Sequence, residues 1–589
     1  MALVVALLPM KAAPAMPGAM LVTQPDGSTL LVETFGDEHQ HWTATTDGVL
    51  LQFDKGAYYV ADITDDGDLK ATNLLAHEVH LRTLAEAAFI KKQSSRLKLF
   101  HERGASLRRA AAAVSESSTY LQHTGSPRVL VVLVQYKDLS FSVNNPLQAF
   151  DQFLNGDQQA DLGNNNTKNI NSIRQYFAKV SHGAFTPQFD VKGPITMSEN
   201  MAYYGAGASS SEKVSQLLSE ILDSIKNDVV LAEYDNDGDH KVELIYTIFA
   251  GYGQNQGGSS DALWAKVSNV NKKANDSITI SRFGINAELF HPQFKNDVNG
   301  IGVFVHEFGH AMGLPDLYPT TADGCKVNNQ TMDNWDVMDQ GLYNGNSYTP
   351  AAYTAWEQEA MGWLSIEPLT SSKLVEGLLP TTEEGGKAYK IVNSQNDREF
   401  IVLENIQQRG MSVSASGHGL LAYHVAYPYV NVNMTDHPNN TVGKPAVSVI
   451  PADGLMISTY QRDAYKASYG GSYTSAEYIA SLKGDPFPGT SSVTTLADSQ
   501  QLPNFKFYDS EDGLVGGSLS AISEDAKSGS VSFTFTTAGD TSGISETFAE
   551  SAGIRGVYTI SGQRLAGNAE GLPRGLYIIN GKKAIVGGR

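Results

Sequence analysis

Residues 301–316 read IGVFVHEFGHAMGLPD, and this stretch decides how the rest of the chain is interpreted. Apolar residues lead up to His306 and a glycine stands at position 313, which predicts a helix that ends in a left-handed turn. His306 and His310 are four residues apart, so they lie about 40° apart around a helix and share one face. Two imidazoles at this spacing can hold one tetrahedral Zn²⁺ ion, and the stretch therefore predicts a zinc site.

Further zinc-site residues follow from the same pattern. Glu307 is next to the first histidine, where H-E-x-x-H peptidases carry the general base that activates the attacking water. A third ligand six residues after His310 is the spacing found in metzincins, and it predicts Asp316, with Asp replacing the usual His. Glu357 and Glu359, on a predicted helix further along the chain, are the alternative third ligands.

Two downstream residues are candidates for supporting roles. Met338, within WDVMD at residues 335–339, resembles the Met-turn beneath the zinc of metzincins. The alternative is that it only fills the core, as methionine often does. Tyr343 is a candidate catalytic residue that would hydrogen-bond the oxyanion of the transition state. The alternative for Tyr343 is an aromatic side chain packed at the surface.

These motifs, together with AWE at 355–357 and GW at 362–363, resemble the immune inhibitor A family of secreted zinc metallopeptidases. The resemblance covers about residues 128–363 and continues more weakly through 417–424. It implies a metzincin-like endopeptidase that is made as a zymogen and hydrolyses protein or peptide substrates. Two alternatives remain open. One is a catalytically inactive binding protein on the same fold, and the other is a cell-surface adhesin whose β-rich C-terminal half carries the function.

A second metal site is predicted in the loop DNDGDHKVE at residues 235–243. Oxygen ligands at alternate positions of a tight loop suit Ca²⁺. The glycine falls at the fourth position rather than the sixth, so the loop is not a standard EF-hand, and a solvated acidic turn is the alternative. The candidate ligands are Asp235, Asp237, Asp239, Lys241 through its backbone carbonyl, and Glu243.

The fold class that we expect is multidomain, with α+β and α/β parts. Apolar strands at 128–134 and 244–250, separated by amphipathic helices, predict the layered core of the catalytic domain. The expected segments are a signal peptide (1–15), a β-rich propeptide (16–118), a metzincin-like zinc peptidase domain (119–370), a β-sandwich-like region that partly extends the catalytic unit (371–540), and a β module (545–589).

Both ends of the chain carry targeting-like features. An apolar start followed by Ala13-x-Ala15 fits a signal peptidase site, with the true start expected upstream of Met1; an apolar tail is the alternative. The C-terminal segments 556–564 and 575–579 resemble the sorting tails of secreted Bacteroidetes proteins, and a final β-hairpin is the alternative.

Zymogen activation and latency give two further predictions. We expect a flexible junction at 103–118, with cleavage near Arg108-Arg109. The only cysteine, Cys325, lies in the catalytic block, so a propeptide cysteine cannot cap the zinc. The segment 36–42 offers Asp37 or Glu38 as a carboxylate that would cap the zinc, and a hairpin with charged edges is the alternative.

The composition narrows the range of functions. The chain has 589 residues, 41% hydrophobic and 18% charged, which suits folded domains rather than disorder. A formal net charge of −20 would repel nucleic acid, so no nucleic-acid partner is expected. No apolar run reaches the roughly 18 residues of a membrane helix. The expectation is a monomer, secreted or at the cell surface.

Overall fold

The structure is a computed structural model. It describes residues 10–37, 40–112, 120–157, 161–162, 165–166, 168–205, 213–537, 557–559, 563–565, 575–579 and 582–586. The chain divides into two compact units, Met1–Phe535 and Thr536–Arg589. The first contains both helices and sheets, in agreement with the predicted multidomain chain of mixed class.

Among the described residues of the first unit, a two-residue strand, β1 (Met10–Lys11), comes first and is followed by an antiparallel sheet in which each strand pairs with the next. We call this sheet and the two helices after it the N-terminal module. Its strands are β2 (Met20–Thr23), β3 (Thr29–Gly36), β4 (His41–Thr45), β5 (Leu50–Asp54), β6 (Ala57–Ile63) and β7 (Leu69–Leu75). Its helices are α1 (Leu84–Ser94) and α2 (Leu97–Ala112).

The segment predicted to be a flexible junction is helical over much of its length. Arg108 and Arg109, the predicted cleavage position, fall within α2. Alanine, arginine, leucine and glutamate dominate this stretch, and these residues have high helix propensity. Residues 113–119, the rest of the predicted junction, lie outside the described part of the chain.

The next part of the chain, residues 128–360, contains both helices and strands. They are β8 (Arg128–Gln135), α3 (Pro146–Asn155), β9 (Asp161–Leu162), β10 (Asn165–Asn166), α4 (Ile173–Val180), β11 (Gln188–Thr196), α5 (Met201–Gly205), α6 (Val214–Ile225), β12 (Lys241–Tyr252), β13 (Lys266–Lys273), β14 (Thr279–Leu289), α7 (Ile301–Ala311) and α8 (Ala355–Ala360).

A six-stranded sheet, in the order β1-β13-β14-β12-β8-β11, forms the centre of this region. Strands β14, β12, β8 and β11 are parallel, whereas β13 runs antiparallel to β14 at one side. The inner parallel strands β8 and β12 are buried on both faces, which explains the continuous apolar run within Arg128–Gln135. Alternate residues of β8 enter two cores: one contains residues of α3, α4 and α7, and the other contains residues of α6.

The remaining strands of the first unit form two further sheets. They are β15 (Glu367–Pro368), β16 (Lys373–Leu378), β17 (Ala388–Asn393), β18 (Asn396–Ile406), β19 (Gly419–Ala426), β20 (Val447–Val449), β21 (Gly517–Glu524) and β22 (Val531–Thr537). Between β20 and β21 lie α9 (Lys466–Tyr469) and α10 (Ser475–Gly484). The sheet orders are β15-β17-β18-β19-β20 and β16-β22-β21.

The larger of these sheets has one face in each of two cores. On β18, Ile401 and Leu403 pack in a core shared with Phe533 of β22, as in a sandwich. Phe400 and Val402, on the opposite face, belong to the same core as α7. This face therefore extends the core on which the predicted zinc helix rests.

In its described residues, the second unit contains four antiparallel strands in the order β24-β23-β25-β26. They are β23 (Val557–Thr559), β24 (Arg564–Leu565), β25 (Gly575–Ile579) and β26 (Lys582–Val586). Across the described residues of both units, we find no helix with the length and apolar character needed to cross a bilayer.

Candidate metal centre and cleft

Helix α7 brings the two predicted histidine ligands together in the core. His306 and His310 are fully buried, and their Nε2 atoms lie 3.2 Å apart. The Nδ1 atom of His306 is 2.8 Å from the carbonyl of Val337, and that of His310 is 2.8 Å from the carbonyl of Leu314. Because a carbonyl can only accept, each Nδ1 carries the proton, which leaves each Nε2 lone pair available to a metal.

Gly313 turns the chain back toward the histidines after α7. It adopts φ +103°, a left-handed conformation that favours glycine. The turn brings Asp316 Oδ1 to 3.4 Å from His306 Nε2 and 3.1 Å from His310 Nε2. In a tetrahedral site with bonds of about 2.0–2.1 Å, ligand atoms lie about 3.3 Å apart. The three donor atoms therefore fit the edges of a zinc tetrahedron.

The charge state of Asp316 suits a metal ligand. Burial alone would raise the pKa of its carboxyl group, but the charge of Lys11 and the two neighbouring imidazoles hold that pKa well below its usual value. Burial lowers the pKa of His306, which favours its neutral form. The donor set is thus one carboxylate and neutral imidazole nitrogen, the chemistry that Zn²⁺ prefers in proteins.

The two alternative third ligands make contacts elsewhere. Glu357 accepts hydrogen bonds from the backbone and hydroxyl of Thr354, at 2.8 and 3.2 Å, and so caps α8. Glu359 accepts a bond from Ile366 N at 2.8 Å and pairs with Lys390 at 2.7 Å. Only Asp316 of the three candidates is grouped with the two histidines in the described residues.

Met338 lies directly beneath α7. A Cβ atom built on Gly309 would be 2.6 Å from its sulfur, so this close approach depends on the glycine. The turn that carries Met338 also contacts the segment that carries Asp316, because Leu317 N donates to the Met338 carbonyl at 2.9 Å. Asp336, in the same turn, accepts from Met338 N at 2.6 Å.

The predicted catalytic residues face the N-terminal part of the chain. Glu307 is fully buried, and its Oε1 accepts a hydrogen bond from Ala13 N at 2.5 Å. The hydroxyl of Tyr343 donates to the carbonyl of Pro14 at 2.6 Å. Burial raises the pKa of Tyr343 far above its usual value, so its hydroxyl remains a hydrogen-bond donor.

The role of residues 10–16 was missed from the sequence. Lys11 Nζ lies 3.1 Å from Asp316 Oδ2, so a side chain from the predicted signal peptide contacts the candidate ligand. The predicted capping carboxylate lies elsewhere: Asp37 Oδ1 accepts from Gln40 N at 3.0 Å in the turn after β3. Glu38, the other candidate, is outside the described residues. The only sequence feature that could have indicated this contact was Lys11, a charged residue at the end of an apolar run.

The predicted calcium loop brings three of its five candidates together. Oxygen atoms of Asp235, Asp237 and Asp239 lie within 4.8 Å of one another. The amine of Lys241 pairs with Asp239 Oδ2 at 3.0 Å. Glu243 is buried and accepts from the side chain of Asn236 at 3.1 Å. Glu243 is therefore not part of the group of three carboxylates, and the predicted use of the Lys241 backbone carbonyl stays a prediction.

Comparison with known proteins gives a family match for the central region. Residues 117–364 match the model of the immune inhibitor A peptidase M6 catalytic domain. The pre-pro-metalloprotease PrtV of Vibrio cholerae serotype O1 (strain M66-2) is 25% identical over 291 residues, which cover 42% of this chain and 31% of that protein. Immune inhibitor A of Bacillus thuringiensis subsp. alesti is 25% identical over 297 residues, covering 43% of this chain and 42% of that protein. The alignments span less than half of either relative.

Proposed function

We propose that this chain is a secreted, zinc-dependent endopeptidase that is made as a zymogen and hydrolyses protein substrates. The observation that carries the proposal is the buried group of His306, His310 and Asp316, whose donor atoms are 3.1–3.4 Å apart. The match of residues 117–364 to a peptidase family supports the same reading.

His306, His310 and Asp316 would hold the metal. When bound, zinc supplies Lewis-acid chemistry that polarises the scissile carbonyl. The carbonyls of Val337 and Leu314 fix the two imidazole rings, and Met338 supports the helix from below. The protein contribution is therefore a rigid donor set that needs little rearrangement to receive the ion.

Glu307 is the proposed general base. It neighbours the first ligand on α7, and its carboxylate contacts the backbone of Ala13. From that position it takes the proton of the attacking water and passes it to the leaving amine. Tyr343 would donate to the oxyanion, because its hydroxyl already donates to a peptide carbonyl in the same cleft.

The first test combines metal analysis with an active-site variant. Purified protein should contain close to one zinc per chain, and a chelator should abolish cleavage of a casein substrate. Glu307→Gln should lower the cleavage rate at least about 100-fold, the usual contribution of a general base. The matched control is Glu376→Gln, an exposed glutamate on β16.

The outcome of this test separates the main proposal from the binding-protein alternatives. Undiminished cleavage by Glu307→Gln contradicts the proposed mechanism. Absence of cleavage by the wild-type chain after removal of its N-terminal module, with zinc bound, favours an inactive binding protein or adhesin on this fold.

Calcium binding by the 235–239 loop is a second proposal. Three carboxylates within 4.8 Å of one another repel, and a divalent cation would relieve that repulsion. Calcium at 100 times its dissociation constant should stabilise the fold by about 2.7 kcal/mol. Asp237→Asn should remove this calcium-dependent rise in melting temperature, whereas the exposed control Asp66→Asn should keep it. A wild-type melting temperature that is insensitive to calcium contradicts the proposal.

Secretion and sorting are proposed from the ends of the chain. The signal-like N-terminus and the sorting-like tail support export, and intact mass measurement of the secreted protein tests both. Cleavage after Ala15 would remove Lys11 from the cleft, so the same measurement bears on latency.

A further inference from the structure

A pocket of about 220 Å³ lies beside the predicted oxyanion donor. Tyr343 forms part of its wall, and the same side chain donates to the carbonyl of Pro14 at 2.6 Å. Ser475 and Ile479, both exposed in the first two turns of α10, also line the pocket and leave it open to solvent. A peptide whose carbonyl binds Tyr343 can therefore place a neighbouring side chain in this pocket.

Arg462 is the one charged side chain among the described residues that line this pocket. It is only 7% exposed, whereas arginine is almost never fully buried without a partner. The guanidinium carbon lies 5.3 Å from the ring centre of Tyr465 and 5.9 Å from that of Tyr478, and a cation over an aromatic face is favourable. The Nε atom donates to the carbonyl of Thr459 at 3.0 Å. These contacts fix the direction in which the guanidinium points.

A buried aspartate holds the neighbours of Arg462 in place. Asp333 Oδ1 accepts a hydrogen bond from Thr459 N at 3.0 Å and lies 3.4 Å from the hydroxyl of Tyr478. Because Thr459 and Tyr478 both contact the guanidinium, this network makes its surroundings rigid. A site that is already ordered loses little conformational entropy when a ligand binds.

The carboxylate that faces Arg462 comes from the N-terminal module. Among the described residues, Glu33 of β3 is the one carboxylate within ion-pairing distance of this guanidinium. Its Oε1 lies 3.8 Å from Nη2, too far for a hydrogen bond, and accepts instead from Gly18 N at 2.8 Å. Nη2 has no hydrogen-bond partner in the described part of the chain. The pairing of Arg462 is therefore incomplete, and removal of the module would end it.

We propose that Arg462 is a specificity-determining residue that binds a glutamate or aspartate side chain of the substrate in this pocket after the N-terminal module has left. This inference rests on the proposed peptidase function. It names the substrate class of that site as proteins with an acidic residue near the scissile bond.

The chemistry of the guanidinium explains the preference. Without the module, Arg462 keeps its contacts with the two tyrosine rings but has no carboxylate within ion-pairing distance in the described residues. Leaving such a confined charge unpaired is unfavourable. A carboxylate accepts from two guanidinium N–H groups at once, whereas a glutamine side chain offers one neutral oxygen. A lysine side chain would bring like charges together. The pocket should therefore favour Glu over Gln and Gln over Lys.

A peptide series on the processed enzyme tests this preference. The full-length chain is folded first and is then separated from its N-terminal module with trace trypsin. The substrates are quenched octapeptides that carry Glu, Gln or Lys at one position, and that position is moved along the peptide. At one position, kcat/KM of the wild type should be at least about tenfold higher for Glu than for Gln, because a charge-assisted hydrogen bond replaces a neutral one.

Variants assign the preference to this side chain. Arg462→Gln should abolish the difference between the Glu and Gln peptides and leave the rate on the Gln peptide nearly unchanged, which also shows that the variant is folded. Arg462→Lys keeps the charge but not the planar fork, so it should retain part of the preference. Arg398→Gln, at an exposed arginine on β18, is the matched control and should keep the full preference. The wild-type comparison does not depend on these variants.

Equal rates on the Glu, Gln and Lys peptides at every position overturn the inference, and so does a preference for Glu that survives in Arg462→Gln. Binding supplies a second arm that needs no turnover. In titration calorimetry, the processed Glu307→Gln chain should bind the Glu peptide at least about tenfold more tightly than the Gln peptide, and adding Arg462→Gln should remove the difference. Equal affinities overturn the inference. Binding that depends on Arg462, in a protein whose wild type cleaves none of the peptides, would refute the proposed function and leave the acidic subsite intact.

Discussion

Gly302, in the first turn of α7, is a position where one added methyl group should disturb both the zinc helix and the predicted oxyanion donor. A Cβ atom there would lie 1.9 Å from the carbonyl oxygen of Leu342 and 2.6 Å from Ser347 Oγ. Carbon–oxygen contacts require about 3.3 Å or more. The helix and the Gln340–Tyr343 turn would therefore have to separate by more than about 1 Å in Gly302→Ala.

Two opposing free energies decide the size of the effect. Glycine to alanine inside a helix is normally favourable by about 1 kcal/mol. Overpacking costs about 1–3 kcal/mol, and the upper end applies here because the obstacle is backbone that cannot rotate away. The net loss of stability is about 2 kcal/mol. At about 2–4 °C per kcal/mol for a domain of this size, the melting temperature should fall by about 4–8 °C.

Scanning calorimetry of the purified chain measures this shift, with Ser224→Ala, at an exposed site on α6, as a control. Because Tyr343 ends the displaced turn, kcat after activation should also fall while zinc content is kept. A variant that melts at or above the wild-type temperature refutes the reasoning, since helix propensity would then outweigh the contact.

Three other predictions concern charge, turn geometry and the oxyanion donor. Burial raises the pKa of Glu404 to about 7 from 4.5, so its contribution to stability is complete below pH 4.5 and is lost as the pH rises through 7. The Glu404→Gln protein should therefore have a higher melting temperature than the wild type at pH 8 but not at pH 4.5. An equal difference in melting temperature at the two pH values contradicts this prediction. Gly313→Ala should lower the free energy of unfolding by about 1–2 kcal/mol, because φ is +103° and the added Cβ would approach the Tyr120 ring to 3.1 Å. Unchanged stability and unchanged zinc affinity contradict this prediction. Tyr343→Phe should lower kcat about 100-fold or more with little change in KM, and a pure KM effect contradicts an oxyanion role.

Local patterns predicted the elements that carry the site. The apolar run of β8 and the spacing of His306 and His310 on α7 depend on short-range periodicity, which a sequence displays directly. One of the alternative third ligands could also be assigned from the sequence, because Thr354 and Glu357 have the spacing of a capping box. That pattern places Glu357 at the start of α8 but does not concern Glu359, which pairs with Lys390 in the structure.

Long-range contacts account for what the sequence did not predict. Lys11 and Asp316 are separated by more than half the chain, and only the tertiary fold brings them within 3.1 Å. An apolar start with small residues suggested a segment to be removed, whereas in the structure Ala13 and Pro14 contact Glu307 and Tyr343. The flexible conformation expected around Arg108 was wrong, because the surrounding residues are strong helix formers and extend α2 through it. Cleavage near Arg108-Arg109 stays a prediction.

The contact between Met338 and Gly309 has a consequence for oxidative damage. Conversion of the thioether to a sulfoxide adds a polar oxygen, and the sulfur is fully buried against a helix with no space for even a methyl group at Gly309. An oxidant can reach it only when α7 and the turn beneath have separated. Peptide mapping of the sulfoxide at Met338 during peroxide exposure would therefore report how often α7 separates from the turn that carries Met338. A bound metal would join α7 to Asp316, so it should slow the accumulation of the sulfoxide.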